Sequence, residues 1–268
     1  MTDLRIAIAG AGGRMGLANI RAVHATPGLV LHSAFDRPGA TAVGRDAGEL
    51  AGLGALGVVI GDDPEAALEG AEAIIDFTAP AVSVMLAEFA ATRELIHIVG
   101  TTGCSREEDW SIQKAGSAGA RIVKSGNFSP GLNLLLGLVR QAAAALPGYD
   151  VEILEMHHNK KVDAPSGTAL MLGRAAAEGR GIDLDEHAVR ARDGHTGMRV
   201  PGSIGFQALR GGAVVGEHSV ILAGDTERIE IVHRAQDRGM FAAGAVQAAL
   251  WAKDQPAGFY SMADVLGL

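Results

Sequence analysis

The stretch EMHHNKKVDAPSGTA, from Glu155 to Ala169, sets two histidines, two lysines and an aspartate within seven residues and then turns through Pro-Ser-Gly-Thr. Histidine donates or accepts a proton near neutral pH. Lysine is a compact cation suited to a carboxylate, and it donates a proton where its pKa is lowered. An Ala/Leu/Gly-rich helical run, Ala169 to Gly179, follows at once. Ser166, Gly167 and Thr168 therefore fall at a helix N-terminus, where amides and hydroxyls bind an anion. Proton donors beside an anion cradle suit the reduction of a small carboxylated substrate. Adjacent strand residues point to opposite faces, so His157 and His158 share a cleft only if the strand ends there. The polar residues that follow predict that it does. A His-His pair can also bind metal, but Asp163 alone does not complete a ligand set at metal-site spacing, and no metal is expected. On the residues alone, a solvated His/Lys loop and a plain helix cap at Ser166 or Thr168 remain open.

A second candidate site lies at the start of the chain. IAIAGAGGRMG, Ile6 to Gly16, ends an apolar run and opens a helical one. Glycines let the chain turn tightly and let backbone amides approach a pyrophosphate, and the helix start adds partial positive charge. The glycines fall at 10, 12, 13 and 16. Met15 thus takes the sixth position of the Gly-x-Gly-x-x-Gly pattern, and the third glycine comes one residue late. Asp36 closes the next apolar run, 20 residues after Gly16, where a carboxylate accepts hydrogen bonds from an adenosine ribose. Arg37 follows and suits a 2′-phosphate, so the choice between NAD and NADP stays open. Arg14 is read as lying over the cofactor phosphates, with a surface helix residue as the alternative. Two later turns, Gly100-Thr101-Thr102-Gly103 and Ser125-Gly126-Asn127-Phe128-Ser129, are small and polar and sit at strand ends. They are candidates for the nicotinamide side, because ligands collect beyond the carboxyl ends of parallel strands; ordinary turns are the alternative.

The elements that must position these residues follow from the hydropathy pattern. Short apolar runs (Leu4–Gly10, Leu29–Asp36, Ala73–Thr78, Leu95–Gly100, Ala120–Ser125) alternate with helical patterns ending near Ala25, starting near Pro80 and following Ser105. That alternation predicts βαβ units and a parallel sheet, a Rossmann-like α/β fold. After Asn127 the texture changes. A helix from Leu132 to Leu146 precedes a half-exposed strand, Tyr149 to His158, and then SIGFQALR, AVVGEHSVILAG and ERIEIVHRA read as strands, an α+β pattern with a mixed sheet. A last helix, Met240 to Lys253, precedes a short tail. The expected division is 1–127 for the dinucleotide, 128–237 as a second domain, and 238–268 as a helix and tail.

Composition narrows the function classes. The net charge of −8 argues against general nucleic-acid binding, while a local basic cluster still suits a small anion. With Cys104 as the single cysteine, an intrachain disulfide is not possible, which suits a reducing compartment. The opening MTDLRIAIAG has too short an apolar run for a signal peptide, and no stretch is long enough to span a bilayer. A cytoplasmic location is expected. Aromatics make up only 4%, so the core must be built from Ala, Val, Ile and Leu.

EMHHNKKVDAPSGTA resembles the E-x-H-H-x-x-K-x-D-x-P-S-G-T signature of the bacterial dihydrodipicolinate reductase family. AGAGGRMG, DFT, VGTTG, GNFSPG, GHTGMRVPGSIGF and RGGAVVGEH are similar to that family's other blocks and stand in the same order. The resemblance implies a Rossmann-like first domain, a second domain for substrate and tetramerisation, and a chain that returns to the first domain. It implies reduction of 4-hydroxy-tetrahydrodipicolinate, a small dicarboxylate, with NADH or NADPH, in the diaminopimelate and lysine pathway, by a homotetramer. By motif position His157 would be the proton donor/acceptor and Lys161 the proton donor. His158, with Ser166, Gly167 and Thr168 of the turn, would hold substrate carboxylate. Gly10, Ala11, Gly12, Gly13, Arg14, Met15, Asp36, Gly100, Thr101, Thr102, Ser125, Gly126, Asn127 and Phe128 would bind cofactor. Lys160 occupies a variable position, so no role carries over to it, and Arg238 ranks low. The competing readings are a reductase of another small dicarboxylate and a non-catalytic sensor of NAD(P)H, which would have no need of a proton-donor cluster.

Overall fold

A computed structural model describes residues 2–268. The first run of the chain lays down β1 (Leu4–Ala9), α1 (Arg14–Ala25), β2 (Leu29–Phe35), α2 (Ala47–Ala51), α3 (Pro64–Ala67), β3 (Ala73–Asp76), α4 (Pro80–Thr92), β4 (Ile96–Val99), α5 (Arg106–Ser117) and β5 (Arg121–Lys124). The middle holds α6 (Pro130–Ala145), β6 (Asp150–His157), α7 (Gly167–Arg180), α8 (Leu184–His187), β7 (Ala188–Val189), β8 (Ile204–Arg210), β9 (Gly216–Ala223) and β10 (Arg228–Ala235). The end adds α9 (Gly239–Ala252), β11 (Gly258–Tyr260) and α10 (Met262–Leu266).

These form two compact units, 2–130 with 238–268, and 131–237. The first is a six-stranded parallel sheet in the order β11-β5-β4-β3-β1-β2. Its strands are apolar on both faces because helices cover both. Ile6 and Ile8 of β1 join one core with α1 and α9, while Ala7 and Ala9 join the other with α4 and α5. Each fully buried isoleucine contributes about 1.5–3 kcal/mol. The scarcity of aromatics is met by close approach. Helix α9 buries Ala242, Ala245, Ala248, Ala249 and Ala252, and a Cβ at Gly244 would lie 1.7 Å from the Phe128 carbonyl oxygen. Phe128 is itself 1% exposed in that core. The texture of the sequence changes at Asn127, but this anchoring carries the first unit on to Pro130.

The second unit is a mixed five-stranded sheet, β10-β9-β6-β8-β7. β6 runs parallel to β8 and antiparallel to β9. Along β6 burial alternates: Val151, Ile153 and Glu155 are buried, and Glu152, Leu154 and Met156 are half-buried. The buried face packs with residues of α6 and α7 around Phe206, Val220 and Leu222. The chain end, expected to be a plain tail, folds as a short strand paired with β5 and a capped helix. Among the described residues, no helix is long and apolar enough to cross a membrane.

Candidate active site

In the first sheet, β1 is flanked by β2 on one side and β3 on the other. The direction of winding therefore reverses at β1/β3, where an open parallel sheet forms its ligand crevice. The turns predicted for a cofactor follow β1, β4 and β5 at their carboxyl ends. Gly10 takes φ +65, and α1 opens at Arg14 after Gly13 with no side-chain cap and no acidic residue in its first turn. Helix α5, by contrast, opens with a Ser105–Glu108 capping box and three acidic residues. The start of α1 is thus left for an anion. The late glycine has a packing cause: a Cβ at Gly16 would meet the Gly10 carbonyl oxygen at 2.2 Å, so Gly16 lets α1 close onto the turn. Asp36 Oδ2 accepts from the Gly12 amide at 2.8 Å, and Oδ1 accepts from the Arg37 amide at 2.8 Å. The Arg37 side chain is exposed.

Next to this turn is a cleft of about 240 Å³ lined by Arg14, Met15, Phe77, Gly100, Gly126, Asn127, Phe128, Arg238 and Phe241. Phe77 and Phe128 stand with ring centroids 5.5 Å apart. Ser125 Oγ donates to the Asn127 carbonyl at 2.7 Å, and Asn127 Oδ1 accepts from the Ser129 amide at 2.8 Å, which fixes that turn. Beneath lies a polar hub that sequence reasoning missed. Asp76, fully buried, accepts from Thr78 N–H (3.0 Å) and Thr78 Oγ1 (2.5 Å) on one oxygen and from Ser83 Oγ (2.5 Å) on the other, with His97 Nε2 at 3.3 Å. Thr101 Oγ1 accepts from the Thr78 amide at 3.0 Å, so the hub ties the turn after β3 to the turn after β4. Thr102 is exposed. Burial alone would raise the Asp76 carboxyl, but its hydrogen bonds, first from His97, hold it below the usual range. A glycine turn with an uncapped helix start, a carboxylate beside it and an aromatic cleft fit a dinucleotide.

In the second unit, β6 ends at His157, so His158 is already off the strand. The His158 Nδ1 accepts from the Lys160 amide at 3.2 Å, and its carbonyl accepts from the Lys161 amide at 3.2 Å. Lys161 Nζ donates to both oxygens of Asp163 at 2.8 Å, and that hydrogen bond above all lowers the Asp163 carboxyl. Lys160 is exposed. Ser166 is 2% exposed. Its hydroxyl caps α7 by accepting from the Ala169 amide at 3.2 Å, and it bonds His218 Nε2 at 3.0 Å. Gly167 and Thr168 form the first turn of α7. Its chain neighbours and the nearby backbone of α7 aside, no atom lies within 4 Å of a Cβ built on Gly167. The protein's own packing thus leaves space over this helix start.

The centre of this cluster was not assigned from sequence. Glu155, 1% exposed, meets His157 Nδ1 at 2.6 Å, both Arg210 Nη atoms at 2.8 Å and the Ser166 amide at 3.1 Å. Strand alternation puts Glu155 and His157 on one face, so that pair was readable. Arg210 and His218 arrive only through register, opposite His157 on β8 and opposite Glu155 on β9. Burial works to raise the Glu155 carboxyl, but hydrogen bonds from Arg210 and His157 outweigh it and hold the group below the ordinary range. Burial, and then the charge on His157, push His218 down to about 4, so it is neutral at pH 7. Its ring meets that of His157 edge-on at 5.2 Å. Among the described residues, no group of three His, Cys, Asp or Glu side chains is placed to hold a metal ion.

Both units match known sequence families. Residues 4–128 match the N-terminal domain of dihydrodipicolinate reductase and residues 131–266 match its C-terminal domain. The chain belongs to the dihydrodipicolinate reductase family. A 4-hydroxy-tetrahydrodipicolinate reductase of Rhizobium rhizogenes is 59% identical over 267 residues, covering 99% of this chain and 97% of that protein. One from Agrobacterium fabrum is 58% identical over 269 residues, covering 100% and 98%. Among solved structures, a dipicolinate-bound dihydrodipicolinate reductase from Paenisporosarcina sp. TG-14 shares the fold with a TM-score of 0.78 at 20% identity, covering 97% of this chain and 98% of that one.

Proposed function

We propose that the chain reduces 4-hydroxy-tetrahydrodipicolinate to tetrahydrodipicolinate with NADH or NADPH, in diaminopimelate and lysine biosynthesis. The observation that carries this reading is 59% identity along 99% of the chain to a curated reductase of that name. The two-unit architecture supports a division of labour. Gly10, Ala11, Gly12, Gly13, Arg14 and Met15 would cradle the cofactor's phosphates, and Asp36 and Arg37 its adenosine end. Gly100 to Thr102 and Ser125 to Phe128 would line the nicotinamide side. When bound, the reduced cofactor supplies a hydride.

The residues of the second unit manage charge and protons. Loss of water from the 4-hydroxyl and arrival of a hydride leave an electron-rich, enamine-like ring that must take a proton. A cation beside that charge lowers the barrier. His157 is the proton donor/acceptor and Lys161 the proton donor in this reading. His158, Gly167 and Thr168 hold carboxylate at the positive start of α7, with Ser166 locking the turn from below. The open space over Gly167 supports that placement. Gly167→Val should fill it, raise the substrate KM by tenfold or more and leave thermal stability near that of the parent. A stability loss without a KM change would count against the cradle.

A cytoplasmic homotetramer is the setting this reading expects. Leu209 and Val232, both exposed on the second sheet, offer apolar surface for such an assembly. The direct test follows NADH and NADPH oxidation at 340 nm with enzymatically generated 4-hydroxy-tetrahydrodipicolinate. Oxidation of either cofactor is expected. Binding of NADH with no turnover would favour a cofactor sensor instead.

A further inference from the structure

We propose that Glu155 is a positioning residue for proton transfer: it fixes the tautomer of His157 and ties that imidazole to the start of α7. The proposal rests on the reading of His157 as the proton-transfer group. Glu155 Oε2 meets His157 Nδ1 at 2.6 Å and Arg210 Nη1 at 2.8 Å, while Oε1 meets Arg210 Nη2 at 2.8 Å and the Ser166 amide at 3.1 Å. Both oxygens are occupied by donors, and a carboxylate in that setting has no proton to offer. Nδ1 of His157 must therefore carry hydrogen and donate. The neutral ring keeps its lone pair on Nε2, and the proton gained or lost in turnover sits on Nε2.

The surroundings agree with this assignment. A Cβ at position 216 would come within 3.0 Å of His157 Nε2; Gly216 on β9 leaves that nitrogen clear. Arg210 also donates to the Asp163 carbonyl at 2.7 Å. Asp163 in turn is the ion-pair partner of Lys161. The Arg210–Glu155 pair thus joins three parts of the cluster: the imidazole, the His/Lys loop and the turn at Ser166. His218 bonds Ser166 from the same side and touches the His157 ring by its edge. Arg210, bound to the same carboxylate, can only donate. Glu155 is the acceptor that orients the ring.

The test reads the tautomer directly. In protein labelled with ¹⁵N-histidine, long-range ¹H–¹⁵N spectra of the unliganded chain, at a pH where His157 is neutral, should show hydrogen on Nδ1. In Glu155→Gln the amide turns a donor toward Nδ1, so hydrogen should move to Nε2. Turnover of that variant should fall by about 10²–10⁴-fold, the range that a positioned general acid or base contributes, with KM within threefold. Placed on His157→Ala, the same change should cost less than threefold, because a residue that acts through His157 has nothing left to act on. Hydrogen on Nε2 in the unaltered protein would overturn the proposal, whether or not the variant folds. So would equal losses from Glu155→Gln with and without His157. The spectra stand apart from turnover, so absence of reductase activity in the parent protein would sink the functional reading and leave the tautomer result to be judged separately.

Discussion

His157→Ala should lower turnover by about 10²–10⁴-fold, the range that a positioned general acid or base contributes. Lys161→Ala should do the same, while both variants bind NADH within threefold of the parent, because neither residue belongs to the unit that carries the glycine turn. Lys160→Ala is the internal control. The two lysines are neighbours of equal charge, yet Lys161 has a side chain only 19% exposed and both Asp163 oxygens on its ammonium, whereas Lys160 is exposed. A solvated cation some distance from the chemistry is screened, so the loss at Lys160 should stay within threefold. Steady-state kinetics combined with NADH fluorescence titration separates the effects. Near-parental turnover in both His157→Ala and Lys161→Ala would remove the proton-transfer assignment.

Asp76→Ala should lower stability by about 3 kcal/mol, because buried donors left without an acceptor cost roughly 1–3 kcal/mol. For a chain of this length that corresponds to a Tm lower by roughly 10 °C. The affected donors are Thr78 Oγ1 and Ser83 Oγ, while the Thr78 amide keeps Thr101 Oγ1. The effect reaches function because Thr78 is also tied to Thr101. With the hub removed, the turns after β3 and β4 lose their common anchor, and NADH affinity should drop at least tenfold. The pH dependence has a definite sign. The Asp76 carboxyl lies lower in the folded chain than in the unfolded one. Its contribution is present in full above the ordinary carboxylate value, about 3.9, and is lost as pH falls below that value through the folded one. The parent should therefore lose stability more steeply below about pH 4 than Asp76→Asn does. Melting curves at pH 7 and across that acid range, with NADH titration at pH 7, provide the check. A Tm within 2 °C of the parent in Asp76→Ala would mean that the hub contributes little.

The first sheet was legible because each parallel strand is a short apolar run buried on both faces, and because βα turns rich in glycine mark strand ends. The short helices α2 and α3 were not, although each is announced by an aspartate whose side chain accepts the first amides, Asp46 and Asp63. Five- and four-residue helices carry too little periodicity to stand out. β11 escaped notice for a similar reason: Gly258, Phe259 and Tyr260 become a strand only because β5 lies alongside. In the candidate site, the residues assigned from sequence are near one another in the chain, and the partners supplied by distant strands are not among them. His157, His158, Lys161 and the turn from Ser166 to Thr168 lie in one stretch. Arg210 and His218 come to Glu155 through the register of β8 and β9, and His97 and Ser83 come to Asp76 through β4 and α4. The sequence pattern points to proton chemistry. Glu155 stands two residues from His157, whereas Arg210, His218 and His97 belong to pairings that no local window contains.

The place of β11 in the first sheet bears on folding during synthesis. The unit of residues 131–237 is one uninterrupted stretch, so all five of its strands are available before α9 and β11 are made. The first unit is not: α9, which fills one of its cores, and β11, its edge strand beside β5, follow that whole stretch in the chain. A nascent chain therefore carries the apolar face awaiting α9 uncovered while more than a hundred further residues emerge. Transient exposure of that kind invites aggregation and chaperone capture.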